Sequence, residues 1–287
     1  MKKQNIKKNL PNIFLAIAFL IGLGVFLYPS LSDLINSFLQ AREISRYEQL
    51  VSELSTEEYE KMLSDAREYN ETLVGNNLTQ NIENVDSSNY YNLLSLDSTG
   101  IMGYLYISKI SVRIPIYHGT EDSVLQKGVG HLAGSSLPVD GESQHIVLSG
   151  HTGLPSSTLL TDLVELEIGD TFKIDILNQR YTYEVDQILI VEPNETDSLE
   201  IEEGKQYATL VTCYPYGVNT HRLLVRGYLI DDTVDANISG DAIIIDSSTL
   251  IPIIAIPLII ILFIVMINIR RIKRRRNEAD EEKNNNE

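Results

Sequence analysis

Two shortages in this 287-residue chain restrict its chemistry before any motif is considered: it has one cysteine, Cys213, and only 23 basic residues against 40 acidic ones. A single cysteine closes no internal disulfide, and no group of Cys, His and acid has the spacing of a zinc site, so no metal is expected. The lack of disulfides does not argue against export, because an exporting organism need not rely on them. The basic residues are also badly placed for a nucleic-acid binder. Four lysines lie in residues 1–10 and seven basic residues follow residue 269. Setting these aside, with the five acids of the tail, leaves 12 basic against 35 acidic residues and a central charge of about −23. Such a surface repels nucleic acid, whose binding begins with phosphate neutralisation. The glycines of Gly128-Val-Gly-His131 lack the lysine and following helix of a phosphate loop, and no cofactor site is expected.

What is present starts with two long uncharged apolar runs. Residues 11–28 follow a lysine-bearing start (1–10), and Pro29-Ser-Leu-Ser-Asp33 supplies no small-x-small cleavage site, so this run reads as an uncleaved membrane anchor. Residues 249–269 form a second run, followed by Arg270-Arg-Ile-Lys-Arg-Arg-Arg276 in a tail at 270–287. Positive charge on the outer side of each run puts both termini in the cytoplasm and residues 30–248 outside. Apolar positions three and four apart in 29–75 predict a helical region, its second helix opened by the capping box Ser55-Thr-Glu-Glu58. Residues 76–100, rich in Asn, Ser and Asp, read as an irregular segment long enough to be a lid.

From Gly103 the period changes to two. Tyr104–Ser108, Val112–Tyr117, His145–Ser149, Thr171–Leu177, Tyr181–Val191, Thr209–Cys213 and Leu223–Ile230 read as short strands, with a short helical stretch at Ser156–Leu163. The pattern over 101–230 is all-β, most simply a closed barrel of seven or eight strands. Residues 231–248 read as a tether to the second apolar run.

Cys213 ends one strand, Tyr214-Pro-Tyr-Gly217 stops it, and Arg222 opens the next strand nine residues on, so thiol and guanidinium face each other across a hairpin-like connection. A thiolate needs positive neighbours, and a guanidinium, always charged, offers a fixed fork of donors to an oxyanion. His151, between Gly150 and Gly153, sits on another strand-end loop and can act as base when neutral and acid when charged. The other histidines read as lying outside the site: His118 and His131 as structural residues in glycine-bearing loops, His145 as a satisfied packing residue, and His221 on the face opposite Arg222. Arg226 reads as an ordinary surface arginine.

Thr209-Leu-Val-Thr-Cys213 with its arginine nine residues later, Leu148-Ser-Gly-His-Thr-Gly-Leu-Pro155, Gly119-Thr120 and Gly128-Val-Gly-His-Leu-Ala-Gly-Ser-Ser-Leu-Pro138 closely resemble the class C sortases, the pilin-polymerising transpeptidases of Gram-positive bacteria. The resemblance runs from about residue 30 to 230. It implies an eight-stranded sortase barrel in which Cys213, His151 and Arg222 match the catalytic three. It further implies cleavage of an LPxTG-type sorting signal between Thr and Gly, and transfer of the acyl group to a lysine of another pilin subunit at the cell membrane. The family's lid usually carries Asp-Pro-aromatic; Asn84-Val-Asp-Ser-Ser-Asn-Tyr-Tyr91 has no proline or aromatic directly after Asp86, which leaves a lid rewired around Asp86 and Tyr90, an open lid or none. Two alternatives share these features: a housekeeping sortase that attaches proteins to cell-wall precursor, and a non-catalytic membrane-tethered pilus-assembly scaffold.

Overall fold

The computed structural model describes residues 2–154 and 157–234. The expected second apolar run, its basic tail and most of the tether lie outside these residues.

Eight strands form a closed barrel: β1 (Ile101–Ile107), β2 (Val112–His118), β3 (Val129–His131), β4 (Gln144–Ser149), β5 (Thr171–Ile176), β6 (Gln179–Val191), β7 (Gln206–Tyr214) and β8 (His221–Val234). Their order around the wall is β1-β2-β3-β4-β7-β8-β6-β5, and β5 closes on β1. Two neighbour pairs, β2 with β3 and β4 with β7, are parallel. The hairpin from β5 to β6 turns on Leu177 and Asn178, at φ 47° and 61°. Two successive positive values are what a tight hairpin turn demands to match strand twist.

The alternation of each strand sorts its side chains into two layers. Ile146, Leu148, Ala208, Leu210, Leu223 and Val225 fill the barrel interior together with Phe172, Ile174 and Leu105. The intervening Val147, Val211 and Leu224 face outward, joining Val191 in a second cluster. The even and odd positions of β4, β7 and β8 thus belong to different cores.

Helix α1 (Lys2–Ser52) is continuous through Pro11 and Pro29, merging the expected anchor with the first half of the helical region. Its part from Ile17 onward is long and apolar enough to cross a membrane, and most of its apolar side chains there, Leu27 excepted, are exposed. Ile44, Tyr47 and Val51, one helical face, bury against the barrel. The Tyr47 hydroxyl donates to Met102 O at 2.7 Å and accepts from Leu177 N at 2.9 Å, pinning the strained β5–β6 turn. Helix α2 (Thr56–Leu73) opens with the expected Ser55–Glu58 capping box and buries Leu63, Ala66, Asn70 and Leu73. Asn70 exchanges two bonds with the Leu137 backbone, at 2.9 and 2.7 Å.

Residues 76–100 are more regular than their composition suggests. Asn77 and Gln80 form a capping box that starts α3 (Leu78–Asn84), and the Asp86 carboxylate, accepting from Ser88 N, starts α4 (Ser87–Tyr90). Leu78 lands on the outer cluster of β4, β7 and β8. A cleft of about 590 Å³ separates this segment from α2.

Candidate active site

The antiparallel register of β7 and β8 sets Cys213 directly opposite Arg222. Opposed residues of such a pair have Cα atoms about 4.5–5.5 Å apart and side chains on one face. Leu210 and Leu223 point inward, so three steps from Leu210 and one from Leu223 both Cys213 and Arg222 point outward. The free cysteine is partly exposed at the end of its strand.

His151 reaches the same place from the other side of β7. β4 lies parallel to β7 with Ser149 beside Val211. Just beyond, Gly150 N donates to Val211 O at 3.0 Å, and the Thr212 hydroxyl donates to Gly150 O at 2.8 Å. Continued by one residue, this ladder sets His151 beside Cys213. The three candidate residues therefore share one end of the β4-β7-β8 wall, with the sulfur in the middle.

Each flank is held by backbone contacts. Leu160 N donates to His151 O at 3.3 Å, and a side chain at Gly150 would come 2.7 Å from Leu160 Cδ1, so the bare glycine lets the Leu160 side chain pack close. Gly153, at φ +75°, presents its bare face to the Tyr216 ring, 3.2 Å from where a Cβ would stand. On the other side the loop 215–220 is folded on itself, with Val218 N and Asn219 N both donating to Pro215 O at 3.1 and 2.9 Å. Arg222 Nη1 donates to His221 O at 3.0 Å, leaving most of the guanidinium fork for a ligand.

His118, His131 and His145 are structural, as their surroundings predicted. His131 sits between Ser136 O, 2.8 Å from Nε2, and the Tyr90 hydroxyl, 2.9 Å from Nδ1. His145 sits between Glu200 O and the Thr209 hydroxyl, at 2.8 and 2.7 Å. In each ring the nitrogen facing a carbonyl carries the proton and the other accepts from a hydroxyl. Burial pushes both down to about 4. His118 lies between Gly100 O and Leu93 O, at 3.0 and 2.6 Å, and burial lowers it as well. His221 pairs with Glu192 at 3.4 Å.

Two expectations need correction. Arg226 is no ordinary surface arginine: its guanidinium forks onto Asp186 at 3.1 and 2.7 Å and lies 4.0 Å from the centre of the Tyr207 ring. Nor is Tyr90 the tip of a cover over the site. It is fully buried, and its hydroxyl, besides meeting His131, accepts from Gly119 N at 3.2 Å, which sews α4 into the barrel wall. Asp86 is exposed, and its bonds to Ser88 hold its carboxyl below the usual range. Sequence reasoning missed Tyr216, whose only signal was an aromatic beside the Pro and Gly of the β7–β8 loop.

A sortase domain matches residues 105–230. Sortase D of Bacillus subtilis (strain 168) is 37% identical over 114 residues, 40% of this chain and 54% of that protein, so the chain spans about half the length of this curated relative. The solved sortase C1 of Streptococcus agalactiae is 47% identical, with a TM-score of 0.64 over 67% of this chain and 100% of the other. Clostridium perfringens sortase C with the C-terminal cell wall sorting motif is 42% identical, with a TM-score of 0.59 over 66% and 98%. Streptococcus pneumoniae sortase C follows at 40% identity and TM-score 0.60, over 66% and 97%. The barrel matched by that family and these structures is a sortase domain. The chain belongs to the sortase family, and within it to class C.

Proposed function

We propose that this protein is a cysteine transpeptidase that cleaves an LPxTG-type sorting signal between Thr and Gly and joins the new acyl end to a lysine of a pilin subunit, building a pilus. The observation that carries this reading is the register: Cys213 opposite Arg222 on one neighbour strand, with His151 continuing the ladder of the other. Class C relatives support the substrate class, one of them having been solved with a C-terminal cell wall sorting motif.

In the first half-reaction the Cys213 thiolate adds to the Thr carbonyl carbon, and the resulting oxyanion is met by the Arg222 guanidinium. The C–N bond to Gly then breaks, its electron pair leaving with the amine, which takes a proton from the His151 imidazolium. A thioacyl enzyme remains. In the second half-reaction a lysine amine adds to the same carbonyl carbon and loses a proton to the now neutral His151. Collapse forms the isopeptide bond and returns the thiolate.

The proposed topology has α1 as one anchor, residues 101–230 as the catalytic domain outside the cell, 231–248 as tether and 249–269 as a second membrane segment, with both termini cytoplasmic. The rules of charge and length applied to the sequence support it. The test of polymerisation is incubation with a purified pilin carrying the sorting signal. A covalent ladder that disappears when the pilin's lysines are methylated supports lysine transfer. Release of the Gly-side fragment without any ladder contradicts it.

A further inference from the structure

The first residues of α1 beyond the apolar run reach the loop that carries His151. Asp33 accepts from Thr158 N at 2.7 Å and from the Thr158 hydroxyl at 3.0 Å. Thr158 belongs to the tight turn following His151: its carbonyl accepts from Thr161 N at 2.8 Å, and the Thr161 hydroxyl accepts from Gly153 N at 3.1 Å. The Tyr216 ring packs on Gly153. Helix, His151 loop and Cys213–Arg222 loop are thus joined by an unbroken series of contacts.

Distance along α1 gives this series a meaning. Asp33 is five residues past Tyr28, where the apolar run ends, and at 1.5 Å per residue that is about 8 Å. The helix is continuous through Pro29, so the helical rise applies along the whole of this path. The headgroup layer on each side of a bilayer is roughly 5–8 Å thick. Asp33 therefore stands at the outer edge of that layer, and the loop tied to it cannot lie far from lipid. Beside that loop the β7–β8 connection exposes two large apolar side chains, Tyr216 at 68% and Val218 at 65%. An amphipathic ring such as tyrosine favours headgroup depth.

We propose that the rim of the barrel bearing Cys213, His151 and Arg222 is docked on the lipid interface, held there by the Asp33 carboxylate and contacting headgroups through Tyr216 and Val218. The inference rests on the reading of α1 as a membrane anchor. It deepens the proposed function, since a substrate held in the same membrane beside its sorting signal would present the scissile bond at that height.

The chain contains no tryptophan, so one introduced residue reports alone. The full-length protein is reconstituted in phosphatidylcholine–phosphatidylglycerol vesicles containing brominated phosphatidylcholine, with Val218→Trp as the rim probe. Ile230→Trp, exposed nine residues up β8 from its start at His221, is the distal control. Expected is at least about twofold stronger bromine quenching of the rim probe than of the control, given headgroup-depth residence. Adding Asp33→Ala to the rim probe should bring its quenching down toward the control. Asp33→Asn, whose amide oxygen still accepts both Thr158 bonds, should preserve it. Equal quenching of rim and control in protein that floats with the vesicles would overturn the docking alone. Failure to float would overturn the anchor reading itself, and docking with it.

Discussion

Acidification from pH 7.5 to 5 should destabilise the barrel by several kcal/mol, because His131 and His145 are buried as neutral rings with values near 4. In the unfolded chain each returns to about 6.5, so between these limits the unfolded state binds more protons and stability falls as pH falls. At pH 5 the unfolded ring is almost fully charged and the buried one scarcely so, which by linkage costs about 2 kcal/mol per histidine. His118, also lowered by burial, adds in the same direction. Asp97 and Asp170, held below their ordinary 3.8, lose their contribution only at lower pH, while Asp175, raised by burial, works the other way in the acid range. A difference measurement isolates one ring. In His145→Gln the amide can donate to Glu200 O and accept from the Thr209 hydroxyl, keeping both partners while removing the titration. Urea unfolding of the detergent-solubilised chain, followed by circular dichroism at both pH values, should show a stability loss smaller by about 2 kcal/mol in the variant. An equal loss in both proteins would refute the claim that His145 is held neutral by the β4–β7 wall.

Three further outcomes are expected. Arg222→Lys keeps the charge but loses the planar fork, and turnover of a fluorogenic sorting peptide should drop by roughly 10²-fold or more, with little change in unfolding midpoint. Gly134→Ala places a Cβ 2.7 Å from Ile82 N at a φ of +92°, so it should cost more than about 1 kcal/mol and loosen α3, seen as faster amide exchange in 78–84. Asp186→Ala leaves the Arg226 guanidinium over Tyr207 with only Glu202, at 3.6 Å, as a carboxylate partner, and a loss of about 2 kcal/mol in the same urea assay would match the removal of a charged hydrogen-bond partner.

The parts of the fold legible in the sequence were those whose cause is local. Thr209–Cys213 and Leu223–Val225 are β-branched or apolar runs on either side of a Pro–Gly turn, so their pairing, and with it the Cys213–Arg222 juxtaposition, followed from composition and turn chemistry. His151 stood out because glycines frame it. β3 was lost because three residues, one of them glycine, carry no period. Helices α3 and α4 hid in a stretch whose Asn and Asp side chains look like loop formers but act as caps, Asn77 on Gln80 N and Asp86 on Ser88 N. The roles of Arg226 and Tyr90 depend on partners 40 and 41 residues away, Asp186 and His131, and nothing in the flanking residues points to them. Even α1 was read in pieces, because its composition changes at Tyr28 from an uncharged apolar run to an amphipathic pattern while the helix itself continues.

The central claim is that the sulfur at the end of β7 becomes acylated by the sorting signal. Intact-mass spectrometry of the full chain after brief exposure to an LPxTG-type peptide should reveal one added acyl mass, mapped by digestion to Cys213, lost in Cys213→Ala and removed by an added lysine amine. An acyl group found on any other residue, or peptide cleavage that continues unchanged in Cys213→Ala, would contradict the account.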